Sequence, residues 1–291
     1  MAQLEIRIGN VTLKNPVILA SGPAGYGAEY ADFIGLEKLG AVVTKTISLN
    51  PKAGNSGRRL LETPSGLLNS VGLENVGADL FFGEKLPRLL ELGAKPIVSL
   101  ACEGREDYLK LLETVSGNDT VDMVELNLSC PNVDCGGMAV GTSPELLNWY
   151  VSSARQILPG RALLAKLTPN VGDIAGLAEV CQDAGADGVT AINTLLGMDI
   201  DPDTGKPIFD RVVAGLSGPA IMPVALRAVY EISSRVRIPV LGSGGITSVT
   251  DARKFLAAGA AGIQIGTAIF YDPGLPERII SAVTGAQQGK E

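Results

Sequence analysis

Along this chain, short and nearly continuous apolar runs alternate with longer segments of helical period. The runs occupy residues 17–21, 41–46, 97–101, 123–128, 163–168, 188–193, 240–242 and 262–266. A strand that is apolar on both faces is buried between two layers, as in a parallel sheet covered by helices. The segments between the runs place apolar residues three and four apart, as in 78–92, 144–158, 174–184 and 249–258. The pattern predicts eight successive strand–helix units.

A recurrent joint supports this reading. Leu39-Gly40-Ala41, Leu92-Gly93-Ala94, Ala184-Gly185-Ala186 and Ala258-Gly259-Ala260 each fall between a helical segment and a strand. Glycine there is expected to supply the left-handed residue that ends a helix. Pro96 and Pro239 stand at strand entrances, where a missing N–H costs little. Eight such units within 291 residues predict an α/β fold of one domain, residues 1–291, closed into a (β/α)8 TIM barrel. An open doubly wound sheet would carry a G-x-G-x-x-G turn after its first strand, and Ser21-Gly22-Pro23-Ala24-Gly25 does not match it. Two segments exceed a simple connection, 49–73 after strand two and 195–217 after strand six. Both are expected at C-terminal strand ends, where barrel enzymes place their sites.

Composition narrows the chemistry. A net charge of −7 provides no basic footprint for nucleic acid. The first residues have no signal-peptide pattern, and no apolar run reaches the roughly 18–20 residues of a membrane span. Cys102, Cys130, Cys135 and Cys181 are scattered, so free thiols and a cytoplasmic location are expected. The chain has no histidine, which excludes histidine triads, bases and metal ligands. No metal site is expected: there is no C-x-x-C pair, and Cys130 and Cys135 lack the third nearby cysteine of an iron–sulfur loop.

Polar residues at the strand ends are the candidates for function. Gly244 and Gly245 follow strand seven, Gly266 and Thr267 follow strand eight, and Gly218 precedes Pro219 at the end of the second long segment. Such Cβ-free turns near helix starts suit a phosphate, and barrels often bind phosphate at these two loops; tight turns without a ligand are the alternative. Lys45 and Lys166 interrupt apolar strands. A lysine can snorkel from a strand mouth to water, but two converging on one mouth point to an anion between them. Asn69, Asn127, Asn132 and Asn193 cluster at strand ends or in the first long segment, and their amides can both donate and accept. Cys130 leaves strand four beside Asn127 and ahead of Gly136-Gly137, a stretch able to act as a flexible cover. Inert burial is the commoner fate of a free cysteine, and the other three carry no functional argument.

The stretch Glu125–Val133, ELNLSCPNV, resembles the catalytic loop of the class 1 dihydroorotate dehydrogenases. The resemblance runs nearly end to end, through NPVILASGP, VTKTIS, LLNSVGLEN, AKLTPN, AINT, GLSGPA, GSGGI and IGTAIF. It implies a β/α barrel with FMN at its C-terminal mouth and Cys130 as the base. By matching motif, Ser21, Lys45, Thr46, Asn127, Lys166, Ile192, Gly218, Gly244, Gly245, Gly266 and Thr267 would hold FMN. Lys45, Asn69, Ser70, Val71, Gly72, Leu73, Asn127, Asn193 and Thr194 would meet the substrate. One departure is Ser99, where related subunits usually carry asparagine, so that any contact to FMN there would run through water.

The resemblance further implies that dihydroorotate loses a C5 proton to Cys130 and a C6 hydride to FMN, giving orotate for pyrimidine biosynthesis. Residues 136–142 resemble the NAD-linked class 1B subunits more than the fumarate-using class 1A. Class 1B enzymes pair this barrel with a subunit carrying FAD and a 2Fe–2S cluster, in a heterotetramer of two plus two. The quinone-linked class is disfavoured, since its base is serine and its membrane-associating N-terminal segment is not seen. The alternatives are a class 1A enzyme, a dihydropyrimidine dehydrogenase subunit (which usually carries a cysteine-rich tail), a barrel isomerase or lyase without a redox cofactor, and a non-enzymatic ligand-binding barrel.

Overall fold

The computed structural model describes residues 5–129, 131–132 and 138–285. Eight parallel strands close into a barrel in chain order: β1 (Val17–Leu19), β2 (Ala41–Val43), β3 (Pro96–Ala101), β4 (Met123–Asn127), β5 (Ala162–Leu167), β6 (Gly188–Ala191), β7 (Val240–Ser243) and β8 (Gly262–Ile265). Each lies within a residue or so of an expected run, though several are shorter, because the apolar pattern continues beyond the last ladder hydrogen bond.

The outer layer consists of α1 (residues 77–91, with a π-helical turn at Phe81–Lys85), α2 (Arg105–Ser116), α3 (Pro144–Ile157), α4 (Ile174–Asp183), α5 (Met222–Ser233), α6 (Val249–Ala257) and α7 (Leu275–Thr284). The connection from β1 to β2 carries only the 3-10 turns Ala28–Tyr30 and Leu36–Lys38. Ser143 starts α3 and Asp173 starts α4, each side chain accepting a backbone N–H of the first turn. The helices pack their apolar stripes onto the outward-facing strand residues, and this interlayer core runs around the whole barrel.

Three of the four glycine joints are left-handed as expected: Gly93, Gly185 and Gly259 have φ of 73°, 102° and 104°. Gly40 differs. It has no positive φ, and a Cβ there would stand 2.2 Å from the carbonyl oxygen of Asn15, so close backbone approach is what requires glycine.

The two ends of the barrel are closed differently. An antiparallel hairpin, Ile6–Ile8 with Val11–Leu13, covers the N-terminal end. Its Ile6, Ile8 and Leu13 pack with Ile18, Val43, Ile97, Met123, Leu164 and Leu241 from the barrel interior. At the other end the two long segments, expected as separate insertions, form one antiparallel sheet. Its order is Leu195–Gly197, Ala214–Ser217, Gly66–Asn69, Leu60–Thr63. This roof lies over the C-terminal mouth. Among the described residues no helix is long and apolar enough to cross a membrane.

Candidate active site at the barrel mouth

Strand ends and roof together enclose a cavity of about 480 Å³, well within the range of small-molecule sites. Ser21, Lys45, Thr46, Asn69, Val71, Gly72, Leu73, Asn127, Lys166, Ile192, Asn193, Thr194, Gly218, Gly244, Gly245, Gly266 and Thr267 all line it. Ser70 is not among the lining residues. Successive residues of extended chain point opposite ways, and between Asn69 and Val71 its side chain turns back to accept a hydrogen bond from Asn55 Nδ2 at 3.1 Å. Cys130, Cys135, Gly136 and Gly137 lie outside the described residues, as does the cover suggested for that stretch.

One flank of the cavity is a set of Cβ-free turns. Gly218, Gly244 and Gly245 have φ of 92°, 131° and 72°, and a Cβ on them would come within 2.8 Å of Gly66 Cα, 2.8 Å of Ala225 Cβ and 2.7 Å of Met222 Cβ, respectively. No other residue fits these positions without moving the roof or α5. Ser248 caps α6 just beyond, accepting from Asp251 N at 3.1 Å, and Thr267 Oγ1 donates to Ser217 Oγ at 2.8 Å.

The opposite flank is a connected run of hydroxyls and amides. Ser21 Oγ lies 3.3 Å from Thr46 Oγ1, which is 2.8 Å from Ser99 Oγ. Asn127 Nδ2 donates to the same Thr46 oxygen at 3.3 Å, and Asn193 Nδ2 donates to Asn127 Oδ1 at 3.3 Å. Asn193 Oδ1 then accepts the backbone N–H of Thr194 at 2.9 Å. Ser99 lines the cavity but is fully buried, its hydroxyl within hydrogen-bond distance of Thr46. The segment containing Cys130 leaves from this flank. Ser129 N donates to Asn127 Oδ1 at 3.4 Å, and Pro131–Asn132 pairs antiparallel with Met138–Ala139. Gly141 then packs so closely on Leu128 that a Cβ would stand 2.7 Å from its carbonyl oxygen.

The two lysines occupy unlike surroundings. Lys45 follows the end of β2 and is part-buried; burial lowers its pKa below the ordinary lysine value, with Glu74 opposing and Arg59 reinforcing the shift. Glu74 is itself paired to Arg59 at 2.8 Å. Lys166 lies on the cavity floor with 6% of its surface exposed. Its Nζ is 3.5 Å from Glu125 Oε1 and donates to Gln264 Oε1 at 3.3 Å.

Several lining residues escaped the sequence reading: Arg59, Glu74, Ser217, Thr247 and Phe270. Arg59 and Glu74 sit in irregular chain that no periodicity places. Ser217 had a usable signal in its position directly before Gly218. Asn75 was also missed. It donates to Leu73 O at 2.7 Å and accepts from Gly77 N at 2.9 Å, holding Leu73 at a φ of 55° beside the cavity. Cys102 and Cys181 are buried away from the cavity, and burial pushes the Cys181 thiol up to about 12.

A closed β/α barrel whose mouth joins Cβ-free turns to two lysines and a run of amides has the make-up of a barrel enzyme. The chain belongs to the dihydroorotate dehydrogenase family, whose model matches residues 3–285. It is 46% identical over 280 residues to the dihydroorotate dehydrogenase B (NAD(+)) catalytic subunit of Geotalea daltonii, covering 96% of this chain and 92% of that one. The subunit of the same name from Parabacteroides distasonis is 44% identical over 283 residues, covering 97% and 92%. Among solved structures, the dihydroorotate dehydrogenase of Eimeria tenella in complex with ferulenol superposes with a TM-score of 0.78 over 98% of this chain and 84% of that one. At 20% identity, that match speaks for the fold alone.

Proposed function

We propose that this chain is the FMN-binding catalytic subunit of a cytoplasmic, NAD-linked dihydroorotate dehydrogenase, oxidising dihydroorotate to orotate in pyrimidine biosynthesis. The observation that carries the reading is the convergence, in one cavity, of the strand-seven and strand-eight glycine turns with Lys45, Lys166 and the asparagine run. The donor set fits FMN: turns that a Cβ would fill suit its phosphate, and a fixed cation on the floor suits a ring system that gains negative charge on reduction.

When bound, FMN supplies the two-electron hydride acceptor. Gly218, Gly244, Gly245, Gly266 and Thr267 would hold its phosphate end. Ser21, Thr46, Asn127 and Ile192 would bound the ring, and Lys166 would place a positive charge beside it. Lys45, Asn69, Asn127, Asn193 and Thr194 orient the dihydropyrimidine and its carboxylate, with Val71, Gly72 and Leu73 excluding water above it. Cys130 takes the proton from C5. A thiol of ordinary pKa, about 8.5, is only a few per cent ionised at neutral pH, so the reductive step is expected to accelerate as pH rises. The name "catalytic subunit" borne by the relatives supports a partner. A subunit carrying FAD and a 2Fe–2S cluster, in a heterotetramer of two plus two, completes the proposal.

The test is one purification followed by anaerobic mixing. The wild-type chain should carry flavin, bleach with dihydroorotate, and reduce dyes but not NAD without its partner. Cys130→Ala should retain flavin and bleach about 10²–10⁴-fold more slowly. Undiminished bleaching by this variant would refute the role of the cysteine. Fast NAD reduction by the isolated chain would remove the partner.

A further inference from the structure

Barrel interiors are filled in layers, dominated by branched aliphatic side chains. Here the layer beneath the cavity is polar. Glu125 of β4, Thr190 of β6 and Gln264 of β8 are all buried, Glu125 and Thr190 completely, and they meet under Lys166 of β5. Their arrangement is directional. Glu125 Oε2 accepts from Thr190 Oγ1 at 2.8 Å and from Gln264 Nε2 at 2.6 Å. Its Oε1 has no hydrogen-bond partner and faces Lys166 Nζ at 3.5 Å. Gln264 turns its amide oxygen to the same ammonium at 3.3 Å. Two donors thus fix one carboxylate oxygen and leave the other for the lysine.

A buried ion pair of this kind is a poor stabiliser, since apolar residues of equal volume often serve a fold as well or better. Its use has to be sought in what it does to Lys166, whose head group forms part of the cavity floor. We propose that Glu125, locked by Thr190 and Gln264, is a positioning residue: it fixes the Lys166 ammonium on the cavity floor and partly cancels its field, restraining the site's preference for reduced over oxidised FMN. The inference rests on the FMN-binding reading given above. Lys166 alone would favour the reduced, more negative form; Glu125 directly beneath offsets that preference.

The experiment equilibrates FMN-loaded Glu125→Gln anaerobically with a redox dye at pH 6, reading the flavin spectrum. At a fixed dye poise the reduced-to-oxidised ratio should rise about tenfold over wild type, about 30 mV for a two-electron couple. A ratio within twofold of wild type, in protein carrying stoichiometric FMN, would overturn the proposal. Lys166→Met should move the ratio the opposite way, towards oxidised FMN, and a shift in the Glu125→Gln direction would also overturn the proposal. Should Glu125→Gln not fold, Thr190→Val, which loosens the carboxylate but keeps it, should move the ratio two- to threefold in the same direction. No movement in that variant also sinks the proposal. A wild-type chain that binds no FMN at all would instead remove the underlying reading, and FMN binding by fluorescence quenching distinguishes that failure.

Discussion

The two ends of the barrel are built from the same eight strands and spend them on opposite ends. At the N-terminal end Ile8 and Leu13 of the hairpin interlock with Met123, Leu164 and Leu241 of the strands in one apolar cluster. At the C-terminal end the same strands present Lys166, Asn127, Thr46 and the glycine turns, roofed by a second sheet. One end minimises exposed apolar area. The other tolerates desolvated charge and left-handed backbone, both of which cost stability unless something binds there. The lesson is that stability and function occupy different layers of one barrel, so substitutions should separate the two.

The largest expected effect is at the mouth. Lys45→Met should lower kcat/KM for dihydroorotate about 10²–10³-fold, measured by steady-state dye reduction, while the ligand-free protein melts no lower than wild type. A fall in melting temperature would blur the division. At the base, Ile8→Ala should cost about 2–5 kcal/mol in urea unfolding with kcat/KM unchanged within about threefold. Lost activity in the folded variant would mean the base is coupled to the site.

A smaller effect is expected where the two regions of the mouth join. Gly66→Ala would put a Cβ 2.1 Å from the carbonyl oxygen of Ser217, forcing the roof strands apart. It should cost about 1–3 kcal/mol of stability and weaken orotate binding seen by calorimetry. The smallest is a proton. Burial lowers the Lys45 pKa, so between that lowered value and about 10.5 the folded chain holds fewer protons than the unfolded one, and its stability rises with pH there. An anion beside Lys45 reverses the shift. Orotate binding in that window should therefore take up a fraction of a proton, read as a dependence of the calorimetric heat on buffer ionisation enthalpy. Heat independent of the buffer would place the anion elsewhere.

Much of this division was legible in the chain. Strands with two apolar faces and helices with one give the barrel, because burial on both sides leaves no room for polar alternation. The site was legible where a residue broke that rule: Lys45, Lys166 and Asn127 stand out against apolar neighbours. Glu125 broke it in the same way, yet its meaning depends on Thr190 and Gln264, distant in sequence, and only the closed barrel brings them together. The roof was not legible as a sheet, since its pairing joins Gly66–Asn69 to Ala214–Ser217 across well over a hundred residues. Ser70 stands apart from its neighbours in the motif because extended backbone sends alternate side chains to opposite faces. Gly40 read like the other helix-ending glycines because a close carbonyl and a left-handed turn leave the same letter.

The roof has one geometric consequence. Its two arms rise after β2 and β6, which stand four places apart in a ring of eight and so face each other across the rim. A span anchored on opposite banks ties the two halves of the rim together over one continuous cavity. One half of the rim, bordered by β7, β8 and β1, carries the Gly244–Gly245 and Gly266 turns; the other, bordered by β3, β4 and β5, carries Asn127 and Lys166. Because the ladder between the arms joins Gly66–Asn69 to Ala214–Ser217, neither bank can shift its arm without carrying the other.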